Sequence, residues 1–458
     1  MNYLKNDTIA ALSTAAGKSA IAVVRLSGEN AFEIINKIFK TTSAIEKQVK
    51  YGYIFDGTKN IDEVICIFFK APHTYTGENL VEVSVHGNPI IIDEVLNLLY
   101  KAGARPAEVG EFTYRAFLNG KKDLVEAEAV CNLITSKTAA SAKAALNNVS
   151  GVFSSKVKTI KDNLTNLIAF MEVNLDHPEE DIMFLSREEK LTRLNSYIQD
   201  IKNLLSSYEI SKLLQNGIKA AIIGKPNAGK SSLLNAIVGK NRAIVTDIAG
   251  TTTDTIEETI NCRGIPLIII DTAGIRDRAD NSIELMGQER TKETIVKADI
   301  LLWIFDSSSK LDKNDIKIAD FLKKSFINMP IIAVLNKSDL PANLSLTKDA
   351  LRIVFQDITH ISAKTEAGIS DLLDKIAKMA GANEIQNNYL MINSRHYILL
   401  QNALDALTKT RKVLESKDAD EIACFEAVNA QDCLNEILGI NIKQDILDTI
   451  FSTFCIGK

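Results

Sequence analysis

The sequence predicts a multidomain fold of α/β and α character, in which an α/β domain with a mainly parallel sheet is inserted into a helical domain that follows an N-terminal α+β domain. At 458 residues the chain is long enough for about two to four domains. Short β-rich apolar runs fill the chain up to about Arg115. Four later apolar runs, each followed by polar or glycine-rich residues, are bordered on both sides by stretches with helical periodicity.

Composition is that of an ordinary globular protein, with 46% hydrophobic residues, 24% charged residues and a net charge of −5. No apolar stretch approaches the roughly 20 residues that a membrane span needs. Lys5, Asp7 and Lys18 also interrupt any signal-peptide core, so we expect a cytoplasmic location. Because the net charge is negative, a nucleic acid would have to meet a local basic patch or a basic partner.

The six cysteines form no C-x-x-C pair, which argues against a disulfide framework or a zinc site. We expect five of them to be buried small hydrophobes. The sixth, Cys455, lies near the terminus beside a glycine-containing segment, where an exposed thiol and a buried cysteine are both reasonable.

The N-terminal domain is predicted from the runs IAVVRLSG, VICIFF and LVEVSVHG, which alternate with helix-like pieces such as Ile91 to Lys101. After Asp123 the apolar residues recur at alternating three- and four-residue steps, which predicts one long amphipathic helix. The residues that carry this pattern are Leu146, Val149, Phe153, Val157, Ile160, Leu164, Leu167 and Met171. A second helical stretch is expected to stop at Asn216-Gly217.

The inserted domain is predicted from the runs AAII, LIII, ILLWIF and IIAVL, which precede Gly224, Asp271, Asp306 and Asn336. Their spacing leaves room for helices, as in a parallel sheet with ligand-binding loops at the strand ends. Helical periodicity returns after about Gly381. The predicted segments are an N-terminal domain (1–120), the first half of a helical domain (121–215), the inserted domain (216–382) and the second helical half (383–458), and the two helical halves are expected to pack together.

A phosphate-binding loop follows the first of these strands, with the full G-x-x-x-x-G-K-S pattern from Gly224 to Ser231. Its backbone N–H groups and the next helix can cradle phosphates. Lys230 can reach the β and γ oxygens, and the Ser231 hydroxyl can hold Mg²⁺.

Three further motifs follow strands in the expected order. Asp271-Thr272-Ala273-Gly274 offers a carboxylate for magnesium and a glycine N–H for the γ-phosphate. In Asn336-Lys337-Ser338-Asp339 the last carboxylate can accept two hydrogen bonds from guanine, a pattern that adenine cannot offer. Ser362-Ala363-Lys364 fits the loop behind the same base. Together these motifs predict GTP binding and hydrolysis.

The segment from Thr246 to Asp254 is polar and contains a glycine, as expected of a mobile part that closes on γ-phosphate and magnesium. Thr251 and Thr252 are both candidate ligands there. After Gly274 comes Ile275 instead of the water-orienting glutamine of many GTPases, so another group must act. An arginine finger is one possibility, with Arg276 or Arg278 as candidates, and a monovalent cation near the Asn227 side chain is the other.

On these residues the chain resembles the MnmE/TrmE family of GTPases, which modify the wobble uridine of tRNA with a flavin-dependent partner. The resemblance covers essentially the full length. The features that carry it are GKPNAGKSS, TDIAGTTTD, DTAGIR followed by Ile283-Glu284, NKSD, PHTYTGENLVEVSVHGN, GEFTYRAFLNGKKDLVEAEAV and the terminal Cys455-Ile456-Gly457-Lys458.

The resemblance implies that potassium, bound by the Asn227 side chain and by carbonyls of Thr246, Ile248 and Thr251, replaces an arginine finger. It makes Thr252 a magnesium ligand with Ser231 and lets Glu284 orient the attacking water. The catalytic residues that it implies are Glu284, Lys230 and Cys455. The GTP-binding residues expected from the motifs and the resemblance are Asn227, Ala228, Gly229, Lys230, Ser231, Ser232, Thr246, Asp247, Ile248, Ala249, Gly250, Thr251, Thr252, Asp271, Thr272, Ala273, Gly274, Asn336, Lys337, Asp339, Ser362, Ala363 and Lys364.

By the same resemblance, the N-terminal domain binds a tetrahydrofolate one-carbon donor in its 5,10-methylene or 5-formyl form through Arg25, Glu82, Lys121 and Lys458. A pterin can pair with a carboxylate and a glutamate tail suits cations, so these residue types are chemically reasonable. The family also implies a homodimer that forms a heterotetramer with a partner of the MnmG/GidA type, and tRNA as substrate. Carboxymethylaminomethyl or aminomethyl addition at C5 of uridine would then be coupled to GTP hydrolysis.

Two other classes remain open from the residues alone. A ribosome-assembly GTPase would dock on RNA without chemistry, but no appended basic RNA-binding module is visible beyond the GTPase domain. A signalling GTPase would leave the N-terminal domain and the terminal Cys-Ile-Gly-Lys without a purpose.

Overall fold

The structure is a computed structural model of the chain. It describes residues 7–44, 48–176, 185–241, 258–270, 294–325, 329–344, 351, 355–381, 390–416 and 420–458. These residues form two compact units. The first unit comprises Met1–Ile134, Leu146–Leu205 and Ser394–Lys458, and the second comprises Thr135–Ala145 and Ser206–Asn393. Among the described helices, none is long and apolar enough to cross a bilayer.

The N-terminal part of the first unit is a seven-stranded sheet. Its strands are β1 (Ile9–Leu12), β2 (Ser19–Ser27), β3 (Phe39–Ala44), β4 (Val49–Phe55), β5 (Asn60–Phe69), β6 (Leu80–Gly87) and β7 (Arg105–Pro106). They lie in the order β3-β4-β5-β6-β2-β1-β7, and every neighbouring pair is antiparallel except β1 and β7. The predicted α+β character of this region is therefore confirmed.

One face of this sheet packs on two helices, α1 (Ala31–Ile38) and α2 (Pro89–Ala102). The second begins where it does because the Asn88 side chain accepts a hydrogen bond from Ile90 N and proline occupies the first helical position. Alternate residues of β2 and β6 point into the apolar core, as strand geometry requires. The residues between them, including the directly opposed pair Arg25 and Glu82, lie on the other face.

Six helices follow: α3 (Glu111–Leu118), α4 (Leu124–Thr135), α5 (Ala139–Val149), α6 (Val152–Asp176), α7 (Arg187–Leu205) and α8 (Tyr208–Asn216). The prediction of one helix running through Leu146 to Met171 is wrong at its start. Gly151 takes a φ of +78°, which ends the regular helix there, and Leu146 is left exposed on the preceding helix. The predicted stop at Asn216-Gly217 is confirmed, with Gly217 at a φ of +74°.

The second unit contains a six-stranded, mainly parallel sheet. Its elements are β8 (Ile218–Ile223), α9 (Lys230–Asn241), β9 (Glu258–Cys262), β10 (Ile265–Ile270), β11 (Ile300–Asp306), α10 (Lys313–Ser325), β12 (Ile331–Asn336), β13 (Asp357–His360) and α11 (Ile369–Met379). The strand order is β13-β12-β11-β8-β10-β9, and only β9 is antiparallel to its neighbour. The four predicted strands are confirmed as β8, β10, β11 and β12. Their side chains are buried in apolar clusters on both faces of the sheet, which explains why the runs are uniformly apolar.

The chain returns to the first unit through α12 (Ser394–Ser416), α13 (Asp420–Leu438) and α14 (Gln444–Phe451). Helix α12 packs on α13 and α7, and α13 packs on α6. The predicted packing of the two helical halves of the sequence is therefore confirmed. The residue numbers at which the four segments were divided stay predictions.

Candidate nucleotide-binding site

The phosphate loop lies between β8 and α9, at the position where the strand order of the sheet reverses. Gly224 opens it with a φ of +153°, and a side chain there would meet the backbone oxygen of Ile304 at 2.6 Å. Asn227 and Gly229 also have positive φ values, of 63° and 100°. These conformations let successive backbone N–H groups converge on one ligand, as an anion-binding loop requires.

Lys230, the first residue of α9, folds its side chain back over this loop. Its ammonium donates to the backbone oxygens of Gly224 at 2.8 Å and Lys225 at 2.9 Å. The cation is thus held at the loop that we expect to surround the phosphates. Ser231 and Ser232 follow in the first turn of α9 and are exposed.

Asn336 connects the loop to the predicted base-binding motifs. It ends β12 and is buried. Its side-chain nitrogen donates to the Ala228 oxygen at 2.9 Å, and its side-chain oxygen accepts from the Ala363 N–H at 3.0 Å. The phosphate loop and the two base-binding motifs therefore meet at the Asn336 side chain, although Ala228 and Asn336 are 108 positions apart in the sequence. Glycine is required at position 229 because a Cβ there would lie 2.1 Å from the Asn336 amide nitrogen.

Asp339 is fixed by the loop that contains Ser362. The Ser362 hydroxyl donates to the Asp339 carboxylate at 2.7 Å. This hydrogen bond holds the pKa of the Asp339 carboxyl below its usual range, so the group is an ionised acceptor. An ionised carboxylate can accept from both donor groups of a guanine edge.

Two lysines near this site have carboxylate partners that the sequence patterns did not indicate. The ammonium of Lys337 lies 2.5 Å from Asp306, the last residue of the neighbouring strand. Lys225 pairs with Asp312 and Asp315. The only sequence signal for the first pair is that Asp306 ends a buried strand as Asn336 does. The second pair carries no such signal.

Several predicted site residues lie outside the described part of the chain. They are Thr246, Asp247, Ile248, Ala249, Gly250, Thr251, Thr252, Asp271, Thr272, Ala273, Gly274, Arg276, Arg278 and Glu284. Within the described ranges, no group of three or more His, Cys, Asp or Glu side chains could hold a metal ion. The described part of the nucleotide site therefore comprises the phosphate loop and the two base-binding motifs.

A second cluster lies in the first unit, around the open face of β2 and β6. The Arg25 guanidinium donates twice to Glu82, at 3.0 and 2.7 Å, and lies 5.5 and 5.7 Å from the ring centres of Tyr75 and Phe112. Arg25 also approaches the Gly457 oxygen at 3.4 Å. The C-terminal tail is thus seated at the cross-strand pair.

Lys458 is half-buried at this cluster. Burial and then the charge of Arg25 lower the pKa of its ammonium, against the opposing effect of Glu82. Cys455 is exposed, and its backbone oxygen accepts from Gly110 at 3.4 Å. Lys121 lies beside Gly77, and the described part of the structure shows no ion pair between it and Glu82.

A mainly parallel sheet whose first strand leads through this loop into α9, with the Asn336 to Asp339 motif following β12, defines a P-loop GTPase. Family models described as the MnmE helical domain and the GTP-binding protein TrmE N-terminus match residues 124–455 and 8–121. The chain belongs to the MnmE family of tRNA modification GTPases.

Three relatives named tRNA modification GTPase MnmE show how much of the chain this similarity covers. The protein of Endomicrobium trichonymphae is 71% identical over 100% of both chains. That of Aquifex aeolicus is 41% identical over 99% of this chain and 100% of the relative. That of Clostridioides difficile is 42% identical over 99% of each.

Proposed function

We propose that this chain is a potassium-activated GTPase that modifies certain tRNAs together with a flavin-dependent partner of the MnmG/GidA type. It adds a carboxymethylaminomethyl or aminomethyl group to C5 of the wobble uridine, with a tetrahydrofolate derivative as one-carbon donor. It works as a cytoplasmic homodimer. The observation that carries the proposal is the seating of the C-terminal tail at Arg25 and Glu82, in a chain that matches MnmE relatives over its full length.

The residues of that cluster fit a folate. Glu82 offers a carboxylate to the donor edge of a pterin, while Arg25 and Lys458 offer cations to a glutamate tail. The partly exposed Tyr75 ring beside the guanidinium supplies flat apolar surface, whereas Phe112 is fully buried and packs against Arg25. When bound, the cofactor supplies a one-carbon unit. Lys121 completes the proposed folate-binding set, and Cys455 is proposed to take part in the modification chemistry.

GTP hydrolysis is assigned to the second unit. Mg²⁺ is proposed to bind Ser231 and Thr252, and potassium is proposed to bind Asn227 with carbonyls of Thr246, Ile248 and Thr251. Support comes from the position of Asn227 in the phosphate loop, where it has a left-handed φ of 63° and is exposed. Glu284 is proposed to orient the attacking water, with Lys230 neutralising charge on the phosphates.

The potassium step can be tested by measuring GTP turnover in potassium and in sodium at matched ionic strength. Wild-type protein should turn over several-fold faster in potassium, and Asn227→Ala should lose that stimulation. Equal rates in the two salts would exclude the cation mechanism and direct attention to Arg276 and Arg278.

The tRNA step can be tested by removing residues 455–458. We expect loss of the modified uridine with GTP turnover unchanged, because the tail seats on the first unit and the nucleotide loops lie in the second. A ribosome-assembly or signalling GTPase would produce no modified uridine even as the full-length chain with its partner. If the truncated chain still produces the modified uridine, residues 455–458 are not needed for the reaction.

A further inference from the structure

The second residue of the phosphate loop, Lys225, is held between two carboxylates. Its ammonium lies 3.1 Å from an oxygen of Asp312 and 3.1 Å from an oxygen of Asp315. Asp315 is almost fully buried, with 1% of its side chain exposed, whereas Asp312 is 46% exposed. The lysine itself is largely buried, so its pair with Asp315 is shielded from screening by solvent.

Both carboxylates are immobilised by the start of α10. One oxygen of Asp312 accepts from the backbone N–H groups of Asn314 and Asp315 at 2.8 and 3.2 Å, and Asp315 in turn accepts from Asp312 N at 3.1 Å. This reciprocal arrangement is a capping box, which satisfies helix N–H groups that have no partner within the helix. Each carboxylate therefore has a fixed orientation before it meets Lys225.

Helix α10 is itself anchored in the core of the second unit. Ala319 and Leu322 pack with Trp303 and Phe305 of β11, all of them buried. Because packed side chains in a core resist displacement, the capping box of α10 is a rigid support. The loop residue Lys225 is tied to that support by charge-assisted hydrogen bonds.

The two ends of Lys225 have different partners. Its backbone oxygen accepts a hydrogen bond from the ammonium of Lys230, while its own side chain donates to the carboxylates at the start of α10. The first half of the loop is thus fixed from outside, and only one lysine of the loop is left to serve the phosphates. We propose that Lys225, through Asp312 and Asp315, is a positioning residue that holds the phosphate loop in its nucleotide-binding conformation.

A tether of this kind acts on nucleotide retention. If the ammonium is removed, the loop loses its external support and must be ordered by the nucleotide itself, which weakens binding. The change should appear mainly as faster dissociation, because association is limited by encounter. GTP and GDP should be affected alike, since the tether supports the loop and does not touch the γ-phosphate.

The experiment uses the full-length chain loaded with a fluorescent GDP analogue. Lys225→Met and Asp315→Asn should each release it about tenfold faster than wild type, as expected for loss of a charge-assisted contact. The double variant should release it no faster than Lys225→Met, because that single substitution already removes the contacts with both Asp312 and Asp315. Lys225→Arg keeps the pairing and should restore slow release.

The matched control is Lys375→Met. Lys375 also bridges two carboxylates of the second unit, Asp357 and Asp371. Asp357 is the first residue of β13, so this pair lies at the amino-terminal ends of the parallel strands, whereas the phosphate loop lies at their carboxyl-terminal ends. This variant should keep the wild-type release rate. The proposal is overturned if Lys225→Met releases nucleotide at the wild-type rate, or if Lys375→Met accelerates release as much. It is also overturned if the effects of Lys225→Met and Asp315→Asn multiply in the double variant.

Discussion

The side-chain amide of Asn336 donates to the backbone oxygen of Ala228 at 2.9 Å while its oxygen accepts from Ala363, so one buried residue joins the phosphate loop to the loop behind the base. Because Asn336 holds both loops, a nucleotide that binds one of them finds the other already in position. This preorganisation lowers the entropy cost of binding.

Asn336→Ala should weaken the binding of GTP and GDP about tenfold or more. The substitution leaves the Ala228 oxygen and the Ala363 N–H without this partner, and a buried polar group that loses its partner costs about 1–3 kcal/mol. Titration of a fluorescent nucleotide measures the effect. Asn343→Ala is the control, because that amide also donates to a backbone oxygen, that of Ser308, but at the surface. Equal affinities of Asn336→Ala and wild type would contradict the role given to the bridge.

Asp339→Asn should change the base that the site prefers. The Asp339 carboxylate can accept from both N–H donors of guanine, whereas an asparagine offers one acceptor and one donor. Xanthine carries an oxygen where guanine has its exocyclic amine. The variant should therefore gain affinity for xanthosine triphosphate, and its affinity for GTP should fall by about a hundredfold. Competition between the two nucleotides measures the switch. If the variant still prefers GTP, the aspartate does not read the base.

The parallel sheet and its ligand-binding edge could be predicted because their signals are local. A run such as ILLWIF or IIAVL is short, uniformly apolar and rich in β-branched or aromatic residues, which favours a strand covered on both faces, and the motif residues follow these strands directly. The meeting of Asn336 with Ala228 then follows from topology, since parallel strands end at one edge.

The pairing of Lys225 with Asp315 could not be predicted in this way. The two residues are 90 positions apart, and neither stands out from ordinary surface charges in the sequence. The break at Gly151 is hidden for another reason, because the apolar spacing continues across it and outweighs the helix-stop signal of the glycine itself. Arg25 and Glu82 were assigned through resemblance, and their direct opposition appears only with the register of β2 and β6.

A buried ion cluster in the helical part of the first unit predicts a pH dependence. Burial would raise the pKa of the Glu128 carboxyl, but His396 at 2.7 Å and Arg395 at 2.9 Å lower it to about 2. Burial also lowers the pKa of the His396 imidazole, against the effect of Glu128. Both groups bind protons more readily in the unfolded chain. Stability is therefore lost as pH falls below 6.5 for His396, and from 4.5 towards 2 for Glu128.

Glu128→Gln should lower the free energy of unfolding by about 3 kcal/mol at pH 7, because it leaves the Arg395 charge buried without its partner. Urea denaturation at several pH values measures this, and the difference from wild type should shrink as pH falls from 4.5. The control is Glu415→Gln, whose pair with Arg411 is a surface contact at 3.7 Å and should matter by at most about 1 kcal/mol. A difference that stays constant through the acid range would contradict the assignment.

Gly457→Ala tests the seat of the C-terminal tail with a single methyl group. Gly457 has a φ of +89°, and a Cβ there would lie 2.1 Å from the Leu12 oxygen. The tail would have to leave the position in which its Gly457 oxygen accepts from Ser13 at 3.2 Å and from Arg25 at 3.4 Å. We expect tRNA modification to fall about tenfold or more, as two hydrogen bonds and a close packing contact are lost.

Mass spectrometry of tRNA nucleosides measures that loss beside GTP turnover, which should stay at the wild-type rate. Gly57→Ala separates backbone strain from displacement, because Gly57 has a similar φ of +100° but no atom within 4 Å of the added carbon. That variant should modify tRNA normally. If Gly457→Ala also does so, the contacts of Gly457 with Ser13 and Arg25 do not position the tail for the reaction. A parallel fall in both variants would instead trace the effect to backbone strain alone.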